Sequence, residues 1–420
     1  MNANDILMMK QGLVRHADGV YTVGGQGNSL VVDLGEGLLL VDAGPGGAIT
    51  RRMIAQVREA LDKPVLHIVY SHGHMGYNNG VSLWLENAAA RGEPVPQVLA
   101  HERVAHRYGR YRETAGLQAY TNTRQFRTPY PAQPPAHWFR LPDRSYAERL
   151  LIVGRDRGVE LLHAPGETDD GTAVWIPDSR TLYGSNAFIK ACPNSGSPYR
   201  IQRDVLRWAR TLEMFLALKP AVLIPEFGKP LVVDDEIRDA LNTPAQAMRY
   251  LHVEVVRRMN AGMGELDIVH DVSLPPELFN GPFMKPVYGC AEYMIRDIWR
   301  SENGWWNRNA TDLHPAAPAD AARAVHAALP DAQRVLAHAQ QLADTGQTQL
   351  ALHVVDLLAL APGDEVPLRA ARELKARLCR ERAAQQSSVV SRHLYLSSAD
   401  DLLGQPIGGT EARKEETPWA

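Results

Sequence analysis

Residues Ser71 to Gly80 read S-H-G-H-M-G-Y-N-N-G, two histidines separated by one glycine at the end of a short apolar run, Val65-Leu66-His67-Ile68-Val69-Tyr70. Such a run is strand-like. A glycine between the histidines lets the chain turn sharply off the strand, so the side chains of His72 and His74 can converge on one cation. Neutral imidazole is a common ligand for zinc, iron and related divalent ions, so the pair points to metal chemistry. His67 sits within the apolar run, where a histidine is ordinarily a satisfied core residue. A second cluster, H-R-Y-G-R-Y-R at residues 106–112, offers cations and rings to an anionic or aromatic group.

The composition bounds what such a site can serve. At 420 residues, 45% hydrophobic and 22% charged, the chain has room for two domains and the make-up of an ordinary globular protein. A formal net charge of -3 gives no broad attraction for nucleic acid or anionic lipid, so neither nucleic acid nor membrane is an expected partner. The stretch M-N-A-N-D-I-L-M-M-K-Q-G has no basic segment followed by a long apolar one, and no later run reaches the ~18 apolar residues of a membrane span. A cytoplasmic location is the expectation. Cys192, Cys290 and Cys379 are scattered without C-x-x-C spacing, which suggests neither a disulfide framework nor a structural zinc cluster.

The elements that must position the histidines can be read from periodicity. Residues 19–44 give three short β-rich runs punctuated by Gly and Asn-Ser. Ala48 to Leu61 follows with Ile49, Met53, Ile54, Val57 and Leu61 on one helical face, and then comes the strand that ends at His72. The alternation returns from Leu150 to Pro225, with strand-like runs and a helix over Arg203 to Leu218, so an α/β domain is expected over residues 1–235. Residues 100–148, rich in Arg, Tyr and Pro without clear periodicity, suit a long excursion over the mouth of a site. Beyond residue 240 the pattern is helical, giving an all-α domain over residues 236–404 and a flexible tail over 405–420. Within it, residues 331–384 resemble the paired helices of a tetratricopeptide unit.

Three motifs taken together resemble the metallo-β-lactamase fold, an αββα sandwich, and the whole chain resembles its alkyl/aryl sulfatase branch. In that fold the first metal motif is H-x-H-x-D-H, with the first two histidines on one metal and the Asp-His pair on the second. Here His72 and His74 are followed by Gly76 and Tyr77. The motif H-x-P-G-H-T stands as H-A-P-G-E-T-D-D at residues 163–170, which places Glu167 at the ligand position, as in the sulfatase branch. The bridging acid aligns with Asn186 in Y-G-S-N-A-F, and the last histidine aligns with Phe227 in P-E-F-G. The resemblance therefore implies one divalent ion per subunit, zinc or iron, on His72, His74 and Glu167, with Asn186 as a weak oxygen ligand or a partner of the metal water. The ligands peculiar to the second metal are lost.

The same resemblance implies roles for several neighbours. Tyr77, His163, Asp169 and Asp170 are candidates for managing the proton, and either aspartate can instead orient a histidine. Asp42 matches the acid after the fold's second strand that supports the histidines from behind. In C-P-N-S-G-S-P-Y-R-I-Q-R-D, residues 192–204, Asn194, Tyr199 and Arg200 are candidates for holding an anionic group, because a guanidinium fork matches sulfate or carboxylate oxygens. Residues 288–315 and 391–402 resemble the sulfatase dimerisation domain, and a helical domain with surplus apolar and Trp surface implies a homodimer. Those sulfatases often continue into a sterol-carrier-like domain, and the chain stops before it, so a long-chain detergent is not the expected substrate.

The leading expectation is thus a metal-dependent hydrolase acting on a small anionic or aromatic ester such as a sulfate ester. Two alternatives stand beside it. The two-histidine, one-carboxylate set equally suits a mononuclear non-heme iron oxygenase or lyase acting on an aromatic or carboxylate substrate. Gly76 and Phe227 also suit a catalytically silent dimer that binds a ligand in the old cleft.

Overall fold

The computed structural model describes residues 11–407. The readings of the first residues and of the tail beyond residue 407 lie outside them. The chain divides into two compact units, residues 11–118 with 131–301 and residues 119–130 with 302–407.

The first unit contains two facing sheets. One has the spatial order β1 (Val14–Ala17), β2 (Val20–Gly25), β3 (Gly27–Asp33), β4 (Leu38–Val41), β5 (Val65–Val69), β6 (Gln97–His101), β7 (Arg144–Tyr146). Its first four strands are antiparallel, and β4 to β7 are parallel. The other has the order β12 (Val222–Ile224), β11 (Thr181–Tyr183), β10 (Thr172–Ile176), β9 (Gly158–His163), β8 (Arg149–Val153), antiparallel except for β11 with β12. Leu30, Val32, Leu39, Val41 and Val69 from the first sheet meet Leu161, Val174, Ile176 and Ile224 from the second in one buried cluster. Burial on both faces explains why β4 and β10 read as continuous apolar runs instead of alternating ones.

Helices cover the outer faces. α1 (Gly47–Ala60) packs on β2 and buries Met53, Ile54 and Val57, while α2 (Val81–Ala90) buries Trp84. On the far side, Trp208, Leu212 and Phe215 of α5 (Val205–Leu218) cluster with Trp175, Leu182 and Leu223. The first unit thus has the α/β, αββα order expected from the motifs.

Residues 100–148 are more regular than their composition suggests. They hold α3 (Arg103–Glu113) and α4 (Ala115–Phe126), then a short 3-10 turn before β7. Helical periodicity is hidden in α3 because its buried face is Val104, Arg107, Tyr108 and Tyr111, of which only Val104 is aliphatic.

Compactness divides the chain elsewhere than the composition shift near residue 235. The long α6 (Asp234–Asn260) lies on α5, and Leu241, Met248 and Leu251 share a core with Met294, Ile298 and Trp299 of α9 (Ala291–Glu302). Helices α6, α7 (Glu265–Asp271), α8 (Pro276–Phe279) and α9 therefore belong to the sheet-bearing unit. In the second unit, α10 (Pro318–Ala327), α11 (Ala332–Asp344), α12 (Thr348–Ala359), α13 (Val366–Ala384) and α14 (Val389–Leu402) enclose a core of small and aliphatic residues that includes Ala351, Val355, Leu368, Leu378 and Ala399. No strand occurs in it among the described residues.

Candidate metal centre

The histidine pair hangs from the end of β5, and the backbone there is fixed from three directions. Asp42, just after β4, adopts φ 64° and accepts hydrogen bonds from the Ser71 amide (2.9 Å) and the Asn78 side chain (3.0 Å). The Thr172 amide of the second sheet donates to the Ser71 carbonyl at 2.7 Å. Asp170 accepts from the Gly73 amide at 3.0 Å. Gly73 is not in the left-handed region, so its reason differs from the sharp turn expected of it. A Cβ there would stand 2.8 Å from Asp170 Oδ2 and 2.9 Å from Arg107 Cδ. The glycine admits an ion pair against the chain between the two histidines.

His72 Nδ1 lies 2.8 Å from Ser71 Oγ, and His72 Nε2 lies 3.0 Å from His74 Nδ1. Two ligands of one tetrahedral zinc, each bonded at ~2.0–2.1 Å, stand about 3.3 Å apart, so these nitrogens are near the spacing one ion requires. Burial outweighs the charges of Asp170 and Glu167 and pushes His72 down to about 4. Burial, His72 and the guanidinium groups of Arg107, Arg203 and Arg200 hold His74 well below its ordinary value. Both rings are therefore neutral near pH 7, the state in which imidazole ligates metal.

Around the pair, the carboxylates have three kinds of partner. Burial would raise Asp170, but Arg107, whose Nε is 2.7 Å from Asp170 Oδ2, holds the carboxyl below its usual range. Asp169 pairs with Arg107 Nη2 at 2.5 Å, and its carbonyl meets His163 Nε2 at 2.9 Å. Glu167 Oε1 is 2.5 Å from Arg203 Nη1 and accepts from Asn194 Nδ2 at 3.2 Å. Glu226, 2% exposed, accepts from the Tyr77 hydroxyl at 2.5 Å, and its Oε1 is 3.9 Å from His72 Nε2. Burial and the Glu167 charge push Glu226 up to about 8.

Two family models match the chain, the metallo-beta-lactamase superfamily over residues 22–226 and alkyl sulfatase dimerisation over residues 265–405. The chain belongs to the metallo-β-lactamase superfamily. Its branch is the one that carries the alkyl-sulfatase dimerisation domain. A linear primary-alkylsulfatase from a Pseudomonas species is 26% identical over 90% of this chain and 74% of its own length. An alkyl/aryl-sulfatase of Saccharomyces cerevisiae is 22% identical over 93% of this chain and 64% of that one. The solved structure of the stereoselective inverting sec-alkylsulfatase Pisa1 from Pseudomonas sp. superposes with a TM-score of 0.81 at 20% identity, covering 93% of this chain and 65% of that one. The chain thus spans less than two thirds of the length of the latter two relatives.

Against the superfamily pattern, the structure brings His72 and His74 together and turns Glu167 into the ion pair with Arg203. Among the described residues, no group of three His, Cys, Asp or Glu side chains stands in a metal-holding cluster. Asn186, aligned with the bridging acid, donates to Thr168 Oγ1 at 2.6 Å and keeps Oδ1 buried without a donor. Its side chain therefore offers an oxygen, not a charge. His163 stacks on His101 with ring centroids 3.9 Å apart and tethers the Asp169 backbone. Tyr77 bonds Glu226, and Asn194 bonds Glu167. Arg200 and Tyr199 are half-buried in the same loop, where burial, then neighbouring Arg203 against Tyr288 and Glu167, lowers the Arg200 guanidinium.

Sequence reasoning missed Glu226 and Arg203, and Arg107 of the 106–112 cluster pairs with Asp169 and Asp170. The signal for the first was one residue away, since P-E-F-G was read through Phe227. Arg203 immediately precedes Asp204, whose side chain caps α5 by accepting from the Arg207 amide. The helix start thereby fixes where the arginine can reach.

The buried oxygens and neutral rings fit a divalent ion of the kind this superfamily binds, usually zinc. Glu226 Oε2, Asp170 Oδ1 and Asn186 Oδ1 are buried acceptors that no protein donor satisfies, the condition a cation relieves.

Proposed function

We propose that the chain is a metal-dependent hydrolase of a small anionic or aromatic ester, with sulfate esters as the first candidates, and that one divalent ion per subunit is held at His72 and His74. The observation that carries this reading is the pair of neutral imidazoles, His72 buried and His74 half-buried, with ring nitrogens 3.0 Å apart. Similarity to alkylsulfatases over 90% or more of the chain supports the ester class. A bound ion would polarise an ester oxygen and acidify a water toward neutrality.

The remaining work falls to the chain's own residues. Asp170, through the Gly73 amide, holds the turn that keeps His72 and His74 facing each other. Arg107 neutralises Asp169 and Asp170. Arg203 and Asn194 both bond Glu167 Oε1, so the loop 192–204 is tied to the P-G-E-T turn. That tie uses Asn194 as an internal brace and leaves Arg200 and Tyr199 of the same loop as the candidates for meeting an anionic group. Asp297 of α9 braces the loop from behind by accepting from Ser195 Oγ (2.6 Å) and the Arg203 amide (3.0 Å). Tyr77 keeps its proton on Oη and donates it to Glu226, which assigns the phenol a positioning role. We assign the chain, with its dimerisation domain, to a homodimer, and we keep residues 1–235 and 236–404 as its two family domains; among the described residues no helix is long and apolar enough to cross a membrane.

The test is elemental analysis of anaerobically purified protein together with assays of inorganic sulfate release from aryl and short alkyl sulfates. About one zinc per subunit and chelator-sensitive sulfate release are expected. Iron with substrate-dependent oxygen consumption would replace hydrolysis by the oxygenase reading, and absence of bound metal would leave a ligand-binding protein.

A further inference from the structure

Resting on the metal-binding reading above, we propose that Glu226 supplies the carboxylate ligand that completes the metal site with His72 and His74, in place of Glu167. The argument is one of which carboxylate is free. Glu167 already carries a buried ion pair, with Arg203 Nη1 at 2.5 Å and Asn194 Nδ2 at 3.2 Å on the same oxygen. Asp170 is paired with Arg107 and also holds the Gly73 amide. Asp42 is buried without a cation, yet one oxygen takes the Ser71 amide and the Asn78 side chain, and the other takes the Tyr183 hydroxyl at 3.4 Å. Glu226 alone combines the two conditions: like Asp42 it is bonded to no guanidinium or ammonium, and like Asp170 it keeps one oxygen, here Oε2, buried with no donor. Leaving a buried acceptor unpaired is costly, and a carboxylate more so, unless something outside the protein's own donors meets it.

Its position suits the histidines. Glu226 Oε1 is 3.9 Å from His72 Nε2, the same ring nitrogen that faces His74 Nδ1 at 3.0 Å. The loop that carries it is held from outside the site. Asn28 donates its amide to the Glu226 carbonyl (2.8 Å) and its side chain to the Pro225 and Gly228 carbonyls (both 2.9 Å). Gly27, at φ +71°, lets that loop close in, because a Cβ there would stand 2.8 Å from the Glu226 carbonyl oxygen. Tyr77, which occupies the histidine position of the lost Asp-His pair, fixes the carboxylate's other oxygen. Two residues at or beside former second-metal positions thus serve the first.

The experiment compares full-length wild type, Glu226→Gln and Glu167→Gln, each freed of metal by chelation and checked for wild-type circular dichroism. Zinc affinity is measured by competition with a chromophoric chelator, and the visible absorption of the cobalt(II) form reports ligand number. The expected result is a loss of zinc affinity of 100-fold or more and an altered cobalt spectrum in Glu226→Gln, with Glu167→Gln within about 10-fold of wild type, as for loss of an outer-shell partner. The reverse order, or equal losses in both variants, overturns the assignment to Glu226 while leaving the metal reading intact. A wild-type protein that takes up no zinc or cobalt overturns both.

Discussion

One side of the candidate centre holds its charges in pairs, and the other does not. On the side of α3 and the 192–204 loop, Asp170 faces Arg107 and Glu167 faces Arg203. On the side of β12, Glu226 faces a phenol and a neutral imidazole. On the first side the protein's own cations balance the carboxylates, and on the second a phenol hydrogen bond alone ties one. Tyr77 and Glu226 join their two loops by a hydrogen bond. The paired side is self-sufficient in charge, whereas Glu226 keeps one oxygen buried without a donor, where the proposed ion would bind.

The comparison can be broken by removing one element at a time. The largest expected effect is on metal binding: His72→Ala abolishes zinc retention, beyond the ~10–100-fold cost of an outer-shell change, as read by elemental analysis after gel filtration. Retention of stoichiometric zinc in that variant would place the ion elsewhere. On the paired side, Arg203→Ala leaves Glu167 buried without its cation and lowers stability by roughly 3–5 kcal/mol, measured by denaturant unfolding. The double variant Arg203→Met/Glu167→Leu recovers most of that loss, and equal damage in both would show that the charges were not the cause.

Asp42 probes the backbone that both sides share. Burial, opposed by its hydrogen bonds to Ser71, Asn78 and Tyr183, pushes its carboxyl up to about 6 from an ordinary 3.8. A raised carboxyl binds its proton more tightly in the folded state, so its contribution to stability is present below pH ~4 and is lost as pH rises through about 6. Asp42→Asn keeps an acceptor for the Ser71 amide and a side chain that tolerates φ 64°. It is expected to stabilise the protein at pH 7 by at most roughly 3 kcal/mol relative to wild type, with the difference vanishing near pH 4. Paired thermal melts at the two pH values check the sign. The smallest effect is that of Tyr77→Phe, about 1–2 kcal/mol, since it removes one hydrogen bond to Glu226 in the unloaded protein. Saturating zinc should shrink that deficit, and an undiminished one would mean that the phenol serves packing alone.

Much of the frame was legible before the fold was known. The strands around residues 19–44, α1, β5 and α5 follow from periodicity, because each buries a regular face. Helix α3 was hidden, because its buried face is Arg107 and two tyrosines, which satisfy themselves by ion pair and packing in a way that hydrophobic spacing cannot register. Glu226 was hidden because motif alignment looks for a ligand at the family's position, and here the side chain beside that position points inward.

The sequence by itself determined the order of elements, the placement of His72 and His74 at a strand end, and the turns that carry Glu167 and Glu226, since these depend on local propensity and on residue types at fixed spacing. Only the tertiary structure decided which carboxylate is paired and which is left over. That choice depends on Arg107 and Arg203 arriving from elements 62 and 36 residues distant along the chain from Asp169 and Glu167, and on Tyr77 meeting Glu226 across 149 residues. Charge pairing in a buried site is settled by distance in space, which spacing along the chain does not encode.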